Sequence, residues 1–261
     1  ISDIIKSNHN KYILRNKDIE ETIYNIANAF SEPFSDSSQI PTMILSKFSS
    51  QKNKVVLTGD GADELFGGYN RYIFVNYYSK YIKKIPYNLR KKISNVLKGK
   101  GKNFVIFLFK FINVIIRDNK QTEIVDRLDK FFNMIESKNE NQLYSFLSKN
   151  NSSYSKIINQ PIEDDCTFNY NQSEWPAEFM ERDINNYLTN DILVKVDRSA
   201  MFSSLETRAP YLDQNLINFS NILPLNLKIK NNKKKYILSE LLKKLLPNYN
   251  FNYPKKGFSI P

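Results

Sequence analysis

Residues Lys54 to Gly68 read KVVLTGDGADELFGG, and the fold turns on this stretch. KVVL is a short, β-branched apolar run that stops at glycine, the pattern of a strand buried in a parallel sheet. The chain has only seven glycines, and four of them, Gly59, Gly61, Gly67 and Gly68, fall here. Glycine is costly inside regular elements, so this concentration marks special backbone geometry. Helix formers Ala62, Glu64, Leu65 and Phe66 follow the turn, giving the order strand, turn, helix. Ligands of open α/β sheets bind at such carboxyl ends of strands, where the amides of Gly59 and Gly61 and the helix start can meet phosphate oxygens. Three acids, Asp60, Asp63 and Glu64, crowd the same turn and would repel phosphate unless a cation such as magnesium bridges the two. On this turn alone, a tight loop whose acids only cap a helix explains the residues equally well. It is not a Walker A loop, which needs Gly-Lys-Ser/Thr, nor a dinucleotide fingerprint, because its third glycine falls too late.

Working outward, KYILR (Lys11 to Arg15) predicts a short strand, and Asp18 is expected to cap a helix from Ile19 to Phe30. SEPFSDSSQIP, Ser31 to Pro41, reads as a loop into a helix from Pro41 to Phe48. Tyr69 to Tyr81 is helical and broken by Pro86, and Lys91 to Ser148 reads as linked helices whose stripe Leu128, Phe131, Phe132 and Ile135 is a core face. Further helices are predicted from Trp175 to Ala200 and from Lys233 to Leu246. Lys195, Asp197 and Arg198 lie within one helical turn and could pair locally. Glu206 and Arg208 read as bracing charges beside the Pro210 turn. One parallel strand among many helices indicates an α/β domain with a large helical part.

Composition removes several classes. A single cysteine, Cys166, excludes an internal disulfide framework and a clustered-cysteine zinc site. The lone His9 cannot build a multi-histidine metal site. The longest apolar run, Phe104 to Ile116, is interrupted by Lys110 and Asn113 and falls short of the ~20 residues of a membrane span. The charge of +11 comes mostly from dispersed lysines rather than a basic stripe, and a phosphate-handling cleft on a solvated surface accounts for it. The reading is a soluble, cytoplasmic protein with no membrane partner, in which a phosphate-handling cleft is favoured over a nucleic-acid role.

The block VVLTGDGADELFGGYNRY (Val55 to Tyr72) resembles a signature of glutamine-hydrolysing asparagine synthetases. EPFSDSSQIP (Glu32 to Pro41), DILVKVDRSAMFSSLETRAPYLD (Asp191 to Asp213) and PKKGFSIP (Pro254 to Pro261) resemble three more, in the family's order and across nearly the whole chain. The resemblance implies the C-terminal synthetase domain: α/β, a partial parallel sheet of the adenine-nucleotide alpha-hydrolase-like (PP-loop ATP pyrophosphatase) type. It also implies the chemistry: ATP and Mg2+ convert aspartate to an acyl-adenylate, and glutamine-derived ammonia displaces AMP. Carried over residue by residue, Thr58, Gly59 and Gly61 fall in the ATP-binding turn and Asp63 matches a magnesium carboxylate. Asp60 takes the place of the acid that deprotonates ammonia, a position where many relatives carry glutamate. Lys255 matches the lysine that neutralises phosphate charge. Asp191 and Arg198 are further site candidates.

The family's N-terminal cysteine nucleophile and its first ATP loop, Ser-Gly-Gly-x-Asp-Ser, have no counterpart in these 261 residues. Ser35-Asp36-Ser37-Ser38 resembles the loop's tail, but no glycines or strand precede it, and the likeness reads as coincidence. The expectation is therefore a synthetase domain truncated at both ends, inactive alone, whose full-length form is open to homodimerisation. Two alternatives stand beside it. One is an amidotransferase acting on another carboxylate, such as a sugar acid. The other is a basic RNA-binding or scaffolding domain using the interleaved aromatics and lysines of Tyr69 to Lys84.

Overall fold

The computed structural model describes residues 2–98, 132, 134–148, 175–247 and 249. Its chain gathers into two compact units, Ile1–Tyr69 with Met180–Pro261, and Asn70–Phe179.

The first unit is built round a two-stranded parallel sheet. Strand β1 (Val55–Leu57) pairs with β2 (Glu206–Arg208) in the register Val55↔Glu206, Val56↔Thr207, Leu57↔Arg208. The ladder runs one step further, since the Thr58 amide donates to the Arg208 carbonyl at 2.8 Å. Before the sheet lie α1 (Asn16–Ala29) and α2 (Gln39–Ser50), and α2 buries Met43 and Ile44. After β1 comes α3 (Ala62–Phe66), with Leu65 and Phe66 almost wholly buried.

The second unit holds α4 (Asn70–Tyr77), which continues as the π-helical segment π1 (Tyr78–Ile82), then α5 (Tyr87–Lys98) and α6 (Glu140–Ser148). Tyr72, Val75, Phe132, Leu143 and Phe179 form its core. Arg90 is buried there because its guanidinium donates to the carbonyls of Ile85, Ile135 and Ser137 and to the Tyr78 hydroxyl. A buried charge so fully hydrogen-bonded ties α5 to the chain before α6. Tyr72 and Tyr78 are thus core residues, whereas Tyr77 and Tyr81 are exposed and stack on one another with centroids 6.1 Å apart. Of the predicted core stripe, Phe132 and Ile135 are buried, and Leu128 and Phe131 lie outside the described residues.

Helix α7 (Trp175–Arg182) leads into the ten-residue segment π2 (Asp183–Ile192) and then α8 (Leu193–Phe202). Beyond β2 follow a 3-10 turn (Pro210–Leu212), α9 (Gln214–Ile222), α10 (Leu225–Lys228) and α11 (Tyr236–Leu245).

Four sequence expectations need correction. Lys11–Arg15 forms no strand, because β-propensity needs a partner edge and Tyr12 instead packs its ring on Phe48 at 5.1 Å. Helix α1 starts before Asp18, whose carboxylate reaches back to the Arg15 amide at 3.0 Å from the third helical position. Helix α11 starts three residues later than Lys233, because Asn231, Asn232 and Lys235 adopt positive φ and the Lys230↔Lys233 bridge closes a turn there. The 175–202 stretch is helical as expected, but its middle is π rather than α.

Gly61 is the backbone position on which the turn depends, with φ of 86° and a Cβ that would run into Leu212. Gly61→Ala should therefore cost about 1–3 kcal/mol of stability in urea unfolding. Gly59, with nothing within 4 Å of the place an added methyl group would occupy, should tolerate alanine within about 0.5 kcal/mol.

Candidate functional site

The parallel ladder ends at Thr58, and the chain turns through Gly59, Asp60 and Gly61 into α3. Left-handed Gly61 starts the helix and left-handed Gly67 ends it, so α3 is a single short turn and a half clamped at both ends. Beside it opens a cavity of about 770 Å³. Thr58, Gly59, Asp60, Gly61 and Asp63 all line it, so the sequence-selected residues of this turn converge on one space.

Asp63 does not stand alone. The Lys235 ammonium lies 3.0 Å from its Oδ1, and Gly68 makes room, because a Cβ there would collide with that oxygen. Lys235 sits at the left-handed start of α11. In the sequence it is hidden among the lysines at 233–235, with nothing local to separate it from solvated neighbours.

Glu64 points inward, and its buried carboxylate accepts the Tyr69 hydroxyl at 2.5 Å. Burial pushes the Glu64 carboxyl above the usual range; the Tyr69 hydrogen bond opposes this, and the charges of Asp63 and Asp183 add to it. Tyr69 is itself pushed well above its ordinary value, chiefly by burial and then by the Glu64 charge. The Tyr69 ring meets Tyr187 edge-on at 5.9 Å.

The facing wall comes from α2 and the helix that precedes β2. Ser38, Thr42, Ser46 and Ser49 line the cavity, with the Ser38 hydroxyl donating to Asp36 and the Thr42 hydroxyl to the Ser38 carbonyl. Tyr187 and Ile192 join them, five residues apart, as i→i+5 hydrogen bonding stacks residues in π2. Lys195, one α-helical turn on, completes that face. Ser38 belongs to the segment whose likeness to an ATP-loop tail reads as coincidence. No strand precedes it, as expected, yet its turn does reach the cavity.

Lys195 does not pair with Asp197. Its ammonium meets Asp36 at 2.6 Å, with both side chains almost buried, while Asp197 and Arg198 are exposed. Arg198 is not among the residues lining the cavity, and Asp191 stands behind its wall rather than in it. Glu206 and Arg208 pair with each other at 2.7 Å on the exposed face of β2, a bracing role, while Thr207 between them turns to the cavity. Lys255 lies outside the described residues.

No three His, Cys, Asp or Glu side chains gather as a metal cage among the described residues. The cavity carboxylates Asp60 and Asp63 offer hard oxygens, which suit a magnesium ion shared with phosphate better than one held by protein alone.

A parallel strand running into a glycine turn, with a large cavity at its carboxyl end, defines a ligand-binding α/β domain. The sequence profile of the asparagine synthase family matches residues 1–261, and the chain belongs to that family. It is 28% identical over 241 residues to the asparagine synthetase (glutamine-hydrolysing) 1 of Bacillus subtilis, covering 89% of this chain and 34% of that one. It is 27% identical over 240 residues to a putative asparagine synthetase (glutamine-hydrolysing) of Mycobacterium bovis, covering 88% and 33%. A putative asparagine synthetase (glutamine-hydrolysing) 2 of Methanocaldococcus jannaschii is 35% identical over 109 residues, 42% of this chain and 21% of that one. The chain thus spans about a third of the length of the curated relatives it matches along most of its own. No solved structure matches it significantly. No described helix is long and apolar enough to cross a membrane.

Glu64 yields a pH-dependent test. A carboxyl raised on folding contributes stability below its unfolded value, and that contribution is lost as pH rises through the folded value. Tyr69→Phe removes a donor that the ionised form needs most, so it should cost roughly 1–3 kcal/mol at about pH 8 and clearly less at about pH 4. Urea unfolding of both proteins at the two pH values measures this.

Proposed function

We propose that this chain carries the ATP site of an enzyme that amidates aspartate to asparagine. What carries the reading is that Thr58, Gly59, Asp60, Gly61 and Asp63 line one cavity at the end of a parallel strand, in a chain of the asparagine synthase family. The fold we assign is the adenine-nucleotide alpha-hydrolase-like (PP-loop) type, in keeping with a parallel sheet whose ligand end bears a glycine turn.

In the proposed reaction a side-chain carboxylate oxygen of aspartate bonds to the α-phosphorus of ATP, and the bond to pyrophosphate breaks. Ammonia then bonds to the acyl carbon of the adenylate, the carbon–oxygen bond breaks, and AMP leaves with that electron pair. The amine sheds its extra proton to Asp60, which lies on the cavity wall. Thr58 and Gly59 hold the adenylate, the side-chain hydroxyl of Thr58 being buried without a hydrogen-bond partner among the described residues. Asp63 would hold magnesium, which neutralises phosphate charge when bound. Lys235, already drawn against Asp63, adds a positive charge on the same side, and Lys255 is assigned the same task. Relatives of this chain are named glutamine-hydrolysing, and we assign ammonia supply to glutamine hydrolysis elsewhere in the full-length protein.

The complete protein should release pyrophosphate from ATP only when aspartate is present. Asp63→Asn should slow that release by about a hundred- to a thousand-fold. The 261-residue chain assayed alone should be inactive even with ammonia supplied. Aspartate-independent release, or an unaffected Asp63→Asn variant, would remove the assignment.

A further inference from the structure

Behind the cavity wall lies a cluster that the proposed chemistry does not use. Asp36 stands in the turn before α2. Its Oδ1 accepts from the Ser38 amide and the Ser38 hydroxyl, each at 2.6 Å, and its Oδ2 accepts from Lys195 Nζ at 2.6 Å. Ser38 and Lys195 line the cavity, whereas Asp36 does not. One carboxylate therefore holds two wall groups from behind, with Lys195 lying 159 residues from it in the sequence.

Asp191 closes the cluster, hydrogen-bonded to Asp36 at the end of π2. Two carboxyls bonded to one another hold a proton between them, because like charges in contact do not both ionise. Oδ1 of Asp191 is buried and accepts no hydrogen bond from a donor among the described residues. A buried ionised carboxylate needs donors, so this is the environment of the protonated acid. With Asp36 charged, Asp191 neutral and Lys195 charged, the cluster is neutral overall.

We propose that Asp36 and a protonated Asp191 act as positioning residues, a proton-sharing clamp that fixes Ser38 and Lys195 as the anion-facing wall of the cavity opposite the glycine turn. The wall offers the remaining N–H groups of the Lys195 ammonium to a carboxylate or phosphate group of the ligand, while the Ser38 hydroxyl donates its proton to Asp36. That ligand assignment rests on the function proposed above, and the clamp itself does not.

The electrostatics agree with the geometry. Burial, then the hydrogen bond with Asp36 and its charge, raise Asp191 to about 7 against the opposing effect of Lys195. Burial would also raise Asp36, but bonds from Lys195, from Ser38 and from Asp191 outweigh it and hold it at about 2. The charged groups acting on Asp191 are Asp36 from the turn and Lys195 from α8. Helix α2 lines the cavity with uncharged Thr42, Ser46 and Ser49, and the glycine turn lines it with Asp60 and Asp63. As pH rises through the Asp191 value, its proton leaves, two like charges face each other, and the hold on Ser38 weakens.

Carboxyl carbon NMR of the complete protein tests the clamp directly. Asp191 should titrate near neutrality, and the Ser38 amide resonance should move with it. Asp191→Asn, which keeps a neutral donor, should abolish that movement. Asp191 titrating in the ordinary carboxylate range, or a Ser38 amide indifferent to it, overturns the proposal. In the complete protein, Asp36→Ala should raise KM about tenfold with a smaller change in kcat, as expected for losing a charge-assisted bond to a wall group. Separate KM values for ATP and for aspartate tell whether the anion is phosphate or carboxylate. Asp191→Asn should remove the rise in KM that loss of the Asp191 proton gives the wild-type protein above neutral pH. An Asp36→Ala protein with unchanged KM and only less folded material would make the cluster merely structural. If the wild-type protein turns over no acid with ATP, the proposed function falls, and the NMR titration still decides the clamp.

Discussion

Three residues of parallel ladder hold the functional half of this protein together. Val55 to Leu57 can pair with Glu206 to Arg208 only if the whole intervening chain returns to the starting edge. That closure costs entropy, so it must be recovered by packing on either side of the sheet. Met43 and Ile44 on α2, Leu65 and Phe66 on α3, and Ala200 and Leu205 before β2 supply the buried apolar surface. Once the ladder is made, Thr58 is pinned to Arg208, and the glycine turn has one direction in which to leave. Leu212, just past β2, then fills the space that the missing Cβ of Gly61 leaves. The turn is therefore a tertiary feature as much as a local one: the second strand shapes the loop that follows the first.

The acids of the turn set the second constraint. Asp60, Asp63 and buried Glu64 place negative charge where an anionic ligand is to bind. The structure answers each in a different way. Asp63 is met by Lys235, buried Glu64 accepts the Tyr69 hydroxyl within the cavity lining, and Asp60 remains at the cavity surface. On the opposite wall Lys195 is balanced by Asp36, so it contributes direction rather than unscreened charge. Local pairing, not the overall charge of +11, decides what the cavity can accept.

The sequence shows the turn because its signals there are dense and local. Four clustered glycines after an apolar run leave few other conformations, and Thr58 to Asp63 fall where that pattern puts them. Helix α2 and the helical stretch beyond Trp175 are legible from periodicity and breakers for the same reason. Partners across long separations are not legible. Helical spacing points Lys195 to its neighbour Asp197, but the tertiary fold offers it Asp36 with better burial. Lys235 carries no signal beyond two adjoining lysines. The false strand at Lys11–Arg15 is the converse case, where side-chain propensity points to a ladder that has no second edge.

The π segment shows how a feature silent in sequence can still organise the site. Asp183 to Ile192 carries no proline and no glycine, and its residues read as ordinary helix. Bonding i→i+5 widens each turn, so residues five apart stack where α-helical spacing would rotate them away. Tyr187 and Ile192 thereby share the cavity face, and the return to α geometry at Leu193 brings Lys195 onto it. Asp191, one residue before Ile192, is turned off that face and toward Asp36. A regular α-helix through this stretch could not keep Tyr187 in step with Lys195 while setting Asp191 behind the wall. The irregular winding is thus what separates groups that face the ligand from groups that hold them in place.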